Sequence, residues 1–288
     1  MKELYEKDIF LPVRRPDTHK GDYGKCLITA GSVGYTGAAS MAAHAAVRAG
    51  AGLVFLGVPE PIYVIEAVKN DEAIVFPLPS EGGKLGKKAA EELLERLQSC
   101  DAALVGPGLG RSEAVTETVF ALLRASTVPL ILDADGINAA AAHIDILREA
   151  QCPLILTPHE GEFMRLGGDV SAFGREEAAA RFAREYGCIL VLKGHRTITA
   201  FPDGETFLNT TGNAGMAKGG SGDVLAGILT ALVGQGLPLN KAVPYAVWLH
   251  GRAGDIAAAA RGEYSMTPCD MIGALGEAMK PVVRWREE

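Results

Sequence analysis

Six continuous apolar runs constrain the fold of this chain more than any other feature: CLITAGS from residue 26, GLVFLGVP from 52, AALVGPG from 102, PLILDAD from 129, PLILTPH from 153 and CILVLKG from 188. A strand that alternates apolar and polar residues leaves one face to water. A continuous run needs cover on both faces, which a parallel sheet sandwiched between helices provides. The intervening stretches supply that cover, with apolar residues three and four apart in GAASMAAHAAVRAGAG from 37, KKAAEELLERLQS from 87, EAVTETVFALLRAS from 113 and REEAAARFAREYG from 175. The alternation predicts a three-layer α/β/α fold with a mainly parallel central sheet and right-handed crossovers. Beyond residue 194 the rhythm changes, and TITAFPDGETFLN reads as a hairpin closed by Asp203-Gly204. Three helices then finish the chain: one from 222, one through KAVPYAVWLHGRAGDIAAAA and one from Pro268.

Composition narrows the function classes. With 288 residues, 48% of them hydrophobic, and no linker, repeat or low-complexity tract, residues 1–288 read as a single domain. The net charge of −7 and the lack of a long basic run argue against a nucleic-acid partner. Five cysteines, at 26, 100, 152, 188 and 269, form no CxxC pair, so neither a zinc site nor a disulfide framework is expected, and a reduced, cytoplasmic setting fits. No signal-peptide core or membrane-length apolar stretch is present, so no membrane association is expected.

In open α/β sheets ligands bind outside the carboxyl ends of the strands, and every unusual cluster lies at such an end. GSVGYTGAAS, 31–40, feeds an alanine-rich helix whose small residues admit a flat ligand or serve close packing. GPGLG, 106–110, does not match a dinucleotide-binding fingerprint. DADGIN, 133–138, offers two carboxylates two residues apart, suited either to holding magnesium through water or, at Asp135, to capping a helix. TPHEGEF, 157–163, places His159, Glu160 and Glu162 where a helix starts; the acids read as caps or as anchors of metal-bound water. KGHRT, 193–197, offers Lys193 and Arg196 to a polyphosphate or to solvent. His44, His143 and His250 fall on helical stretches and are assigned no chemistry.

The densest signal is GNAGMAKGGSGDVLAGILTALVGQG, 212–236. Glycines here let the backbone approach a ligand closely or take positive φ, and they open an apolar helix at whose N-terminus unpaired amides receive anions. Asp223, in the first turn, is either a partner of the helix dipole or a base. Amides that stabilise a transferring phosphoryl group, with a carboxylate beside them to take a hydroxyl proton, are what phosphoryl transfer to an alcohol requires. In that reading the helix N-terminus keeps Asp223 ionised.

GGSGD, preceded by TPHEGE and KG, resembles the turn of the ribokinase-like superfamily. More narrowly, NAGMAKGGSGDVLAG with KGDYGKCLITAGSVGYTGAA, VGPGLG, LDADGIN and LTPHEGEF resembles the ADP- or ATP-dependent NAD(P)H-hydrate dehydratase family, in order from about residue 10 to 280. The resemblance implies a nicotinamide-nucleotide repair enzyme that phosphorylates the ring hydroxyl of hydrated NADH or NADPH and then eliminates phosphate. It implies Asp223 as base, with the amides of Gly220, Ser221 and Gly222 as anion hole. Ala39, Gly108, His159 and Asp223 would contact the hydrated cofactor, and Lys193, Gly194, His195, Arg196, Thr197 and Gly222 the adenine nucleotide. Mg2+ would be held through water near Asp133 and Glu162. It further implies a homo-oligomer, a tetramer, and a separate epimerase, because only about twenty residues precede the first expected strand. A related kinase of a vitamin precursor, of the hydroxymethylpyrimidine or hydroxyethylthiazole type, is the alternative. Lys218, within the glycine turn, is assigned no role.

Overall fold

The structure is a computed structural model that describes residues 1–284. Its strands in the main sheet are β1 (Lys2–Leu4), β2 (Lys25–Thr29), β3 (Leu53–Pro59), β4 (Ile74–Leu78), β5 (Ala102–Val105), β6 (Leu130–Leu132), β7 (Leu154–Leu156), β8 (Ile189–Leu192), β9 (Ile198–Ala200) and β10 (Thr206–Asn209). They lie in the order β4-β3-β2-β5-β6-β7-β8-β9-β10-β1. Neighbours run parallel except at β8–β9 and β9–β10, the predicted hairpin. Two two-stranded pairs, Ser80–Glu81 with Lys84–Leu85 and Leu11–Pro12 with Val283–Arg284, stand apart.

Successive side chains of each run enter opposite cores, as a strand's period of two demands. Ile28, Leu104, Ile131, Ile155 and Val191 pack under α1 (Thr36–Arg48), α8 (Ser221–Gly234), α9 (Leu239–Arg261) and α10 (Pro268–Met279). Leu27, Val105, Leu132, Leu156 and Leu192 pack under α3 (Ala89–Leu97), α4 (Glu113–Ala125), α5 (Asp135–Ala141) and α7 (Val170–Tyr186). Two short helices, α2 (Tyr63–Lys69) and α6 (Glu160–Arg165), follow β3 and β7. The three-layer α/β/α expectation is met. Among the described residues, no helix is long and apolar enough to cross a membrane.

Three local features depart from the sequence reading. Lys2–Leu4 forms an edge strand on β10, so a strand precedes the first one expected at residue 26. Ile74–Leu78 forms the opposite edge, where the ladder can accept Pro77. The helix read from Arg175 has an N-terminal extension bent at Gly174, whose φ of 74° interrupts it.

The alanines of α1 have a mechanical reason. A Cβ at Gly227 of α8 would lie 2.2 Å from the Ala42 carbonyl oxygen and 2.8 Å from the Ala45 methyl. Small residues therefore bring α1 and α8 into close contact and set their N-termini side by side at the carboxyl edge of the sheet.

Candidate active site

β2 lies between β3 and β5, so the chain leaves it toward one side of the sheet and returns to β5 on the other. A crevice opens at such a reversal of strand order. The two loops that line it are laced together: Gly31 N–H donates to Pro107 O (2.7 Å) and Ser32 Oγ–H to Gly108 O (2.7 Å). Gly108, at φ +64°, has no room for a side chain, since a Cβ would meet the Ala38 methyl at 2.9 Å. Ala39 is fully buried behind Gly31, and Ala38 is the residue at the start of α1 that faces the Gly108 loop.

Beside this crevice, the ends of β6, β7 and β8 form a row. Leu132 pairs with Leu156, and one residue further on Asp133 and Thr157 lie together, with Thr157 Oγ–H donating to Asp133 Oδ1 (2.7 Å). Lys193 Nζ donates to the same oxygen (2.8 Å) and lies 3.9 Å from Glu162 Oε2. Asp133 and Glu162 are almost completely buried. Burial alone would lower the Lys193 ammonium, but the Asp133, Glu162 and Asp223 carboxylates outweigh it and raise its pKa. Lys193 therefore belongs to this charged row, whereas the sequence reading placed it with the nucleotide loop.

The two acids of DADGIN separate. Ala134, at φ 48°, ends the strand and turns Asp135 away, and Asp135 accepts from Gly110 N–H (2.8 Å) and Asn138 Nδ2–H (3.2 Å). Asp135 pins the glycine loop, and only Asp133 faces the charged row. Glu162 and His159 cap each other at the start of α6: His159 N–H donates to Glu162 Oε2 (2.9 Å), and Glu162 N–H donates to His159 Nδ1 (3.2 Å). An accepting Nδ1 places the proton of the neutral ring on Nε2. The half-exposed imidazole thereby has a donor to offer.

Opposite the row stands the start of α8. Gly220, at φ +100°, precedes the helix, and a Cβ there would meet Met41 Sδ at 2.5 Å. The first bond into the helix runs from Val224 N–H to Gly220 O, and Ser221 N–H donates to Lys218 O. Among the described residues, the amides of Gly219, Gly220, Gly222 and Asp223 have no partner, which leaves a nest of donors at a helix N-terminus. Ser221, expected in the anion hole, has its amide engaged within the turn. Lys218 points away, its ammonium bonded to the carbonyls of Tyr264 (2.7 Å) and Met266, so it anchors the turn.

Asp223 lies in this nest facing Asp133 and Lys193. Burial first, then repulsion from Asp133, outweigh attraction to Lys193 and push its carboxyl up to about 7. Burial and the Asp133 charge thus oppose the helix N-terminus, which by itself would keep Asp223 ionised. A carboxyl titrating near neutrality suits proton transfer better than a permanently charged one.

In the 193–197 loop, Gly194 lies at φ +154°, where a Cβ would meet the Arg175 guanidinium at 2.6 Å. Arg175 binds the carbonyls of Leu192, Lys193 and His195, and shapes the loop from beneath. Thr197 Oγ–H closes it onto Gly194 O (3.0 Å). His195 is exposed and open to a ligand, whereas the Arg196 guanidinium is bonded to Glu3 on the edge strand. Sequence reasoning missed Thr157, Arg175 and His250, whose Nε2 lies 2.8 Å from Ser221 O. The small residues in WLHGRAGD were the available signal for the last.

The model of the NAD(P)H-hydrate dehydratase family matches residues 26–276, nearly the whole of the α/β unit that carries this site. The chain belongs to the NAD(P)H-hydrate dehydratase family. Its relatives include the bifunctional NAD(P)H-hydrate repair enzyme Nnr of Moorella thermoacetica, 46% identical over 92% of this chain and 51% of that protein. The chain thus spans about half the length of the curated relatives it first matches. It is also 35% identical to the ADP-dependent (S)-NAD(P)H-hydrate dehydratase of Neisseria meningitidis, over 94% of this chain and 88% of that one. Among solved structures it is similar to the ADP/ATP-dependent NAD(P)H-hydrate dehydratase of Bacillus subtilis co-crystallised with ATP and Mg2+, with a TM-score of 0.85, 32% identity and 98% of each chain covered. Thermotoga maritima ribokinase, at 16% identity and a TM-score of 0.51 over 88% of this chain and 100% of that one, shares the fold alone. The fold of this family member is ribokinase-like.

Proposed function

We propose that this chain dehydrates hydrated NADH or NADPH of the S form at the expense of an adenine nucleotide, as a lyase of nicotinamide-nucleotide repair. The observation that carries the reading is Asp223 set within the unpartnered amides of Gly219, Gly220 and Gly222, beside a crevice of glycines and small residues. Asp223 takes the proton of the ring hydroxyl as its oxygen bonds to the terminal phosphorus and the bond from phosphorus to the nucleotide oxygen breaks. The amides receive the charge on the transferring group. The carbon–oxygen bond then breaks with phosphate leaving, helped by the ring nitrogen's lone pair, and the neighbouring carbon releases a proton as the double bond returns. Hydroxide would leave poorly from that carbon; phosphate leaves well.

In this reading Ala38 at the start of α1, Gly108 and His159 line the nicotinamide side, with the buried Ala39 packed behind Gly31 rather than touching substrate, and His159 Nε2–H donates to the substrate. Gly194, His195 and Thr197 face the adenine nucleotide together with the Arg196 backbone, the Arg196 guanidinium being held by Glu3. The ADP-dependent relative from Neisseria meningitidis and the Bacillus subtilis relative co-crystallised with ATP and Mg2+ support ADP, and ATP with Mg2+. Asp133 Oδ1 is already engaged by Thr157 and Lys193, and the Asp133–Glu162 gap is bridged by the Lys193 ammonium. No cluster of three metal-binding side chains exists among the described residues. Asp133 and Glu162 would hold a hydrated Mg2+ that arrives with the nucleotide through its water rather than directly. Bound magnesium supplies charge neutralisation on the phosphates. A cytoplasmic homotetramer working with an NAD(P)H-hydrate epimerase completes the proposal, and light scattering tests the assembly.

The experiment adds protein to hydrated NADH with Mg2+ and either ADP, ATP or no nucleotide, following reduced-nicotinamide absorbance and free phosphate together. Nucleotide-dependent recovery with matching phosphate supports the reading. A stable phosphorylated product without recovery points to the vitamin-precursor kinases instead.

A further inference from the structure

The stretch Trp248–Asp255 of α9 touches the glycine segment at several points, though none of its residues enters the crevice chemistry above. Thr211 Oγ–H donates to Trp248 O (2.8 Å). Gly212 N–H and Asn213 Nδ2–H donate to the two carboxylate oxygens of Asp255 (3.0 Å each). A Cβ at Gly251 would lie 2.2 Å from Thr211 Oγ1 and one at Gly254 2.4 Å from Met216 Sδ, so these glycines are what let the segment lie flat on the helix. At the other end, His250 Nε2 meets Ser221 O at 2.8 Å. A carbonyl cannot donate, so Nε2 carries the proton. Burial pushes the imidazole down to about 4, which keeps it neutral at working pH.

We infer that α9 is the frame of the anion nest: Asp255 fixes the start of the 212–221 segment and His250 its end, and both are positioning residues for phosphoryl transfer. The inference rests on the proposed reading of the nest. With both ends held and Lys218 tied to the 264–266 carbonyls, the free amides of Gly219 and Gly220 are aimed without paying for their orientation at the moment of transfer. His250 acts only as a neutral donor. Glutamine, whose Nε2–H sits at comparable reach, substitutes for it, and leucine does not.

The test measures affinities for ATP and AMP by calorimetry, and kcat with its pH dependence, in wild type, His250→Leu, His250→Gln and Asp255→Ala, with melting curves to confirm folding. AMP lacks the phosphate that the nest would hold, so its affinity should stay within about twofold. The preference for ATP over AMP should fall about tenfold in His250→Leu and Asp255→Ala. In both, kcat should drop on the order of 100-fold, the scale of an ångström's misplacement, while KM for hydrated cofactor changes little. His250→Gln should recover most of both losses and keep the wild-type pH profile. An unchanged ATP preference in folded His250→Leu and Asp255→Ala overturns the inference, as does a glutamine variant no better than leucine. Wild-type protein without any preference for ATP over AMP would instead remove the reading of the nest itself.

Discussion

Replacing Asp223 by asparagine should slow the proposed reaction and make the fold more stable. Raising a carboxyl from its ordinary 3.8 to about 7 costs the ionised form about 4 kcal/mol, at about 1.4 kcal/mol per tenfold. Water in the open cleft screens part of this, which leaves about 2 kcal/mol. The sign follows from linkage. The folded-state pKa lies above the unfolded one, so the unfolded chain loses its proton first and stability falls as pH rises from about 4 to about 7, then levels. Asparagine carries no charge and escapes the penalty. Asp223→Asn should therefore melt several degrees above wild type at pH 8, roughly 4 to 8 °C for a chain of this size, with the gain fading toward pH 4. Turnover should fall on the order of a hundred- to ten-thousandfold, the worth of a general base. Wild-type kcat/KM should rise with pH through about 7, as the carboxylate form accumulates. Differential scanning calorimetry across pH and the nicotinamide recovery assay check the two halves. A variant that melts below wild type at pH 8, or that keeps a tenth of its activity, refutes the reasoning.

Two further substitutions probe the geometry around the base. Gly220→Ala forces a Cβ to 2.5 Å from Met41 Sδ at a φ of +100°, so it should cost about 2 kcal/mol and misaim the nest, seen as a lower melting temperature and a kcat loss of at least tenfold. Lys193→Met strands the buried Asp133 carboxylate and should destabilise by about 3 kcal/mol; adding Asp133→Asn to it should recover much of the stability but not the activity, read from urea titrations and turnover.

The strands buried on both faces were legible because a continuous apolar run has few other homes. The edge strands were not: Lys2–Leu4 is short and half polar, and Ile74–Leu78 contains a proline, so each takes its structure from the neighbour it pairs with. The nest was legible from its glycines, and Gly220 and Gly108 hold conformations or approaches that a side chain would forbid. The charge state of Asp223 was not legible, because it depends on Asp133 and Lys193 arriving from separate strand ends. Nor could the sequence divide the labour of Asp133 and Asp135. That division follows from the turn at Ala134, which sends one acid to Lys193 and the other to the Gly110 amide. His250 is not legible as a contact of the nest, because a histidine on an apolar helix usually serves packing and only its meeting with the Ser221 carbonyl marks it out.

In the proposed reaction the phosphoryl group passes to the ring hydroxyl and leaves with that oxygen. Hydrated NADH prepared with heavy oxygen in the hydroxyl, turned over with unlabelled nucleotide in ordinary water, tests this directly through the mass of the released phosphate. Each phosphate formed per cofactor recovered should carry one heavy oxygen. Phosphate without the label would mean that water, not the ring hydroxyl, takes the phosphoryl group, and would rule out transfer to the cofactor.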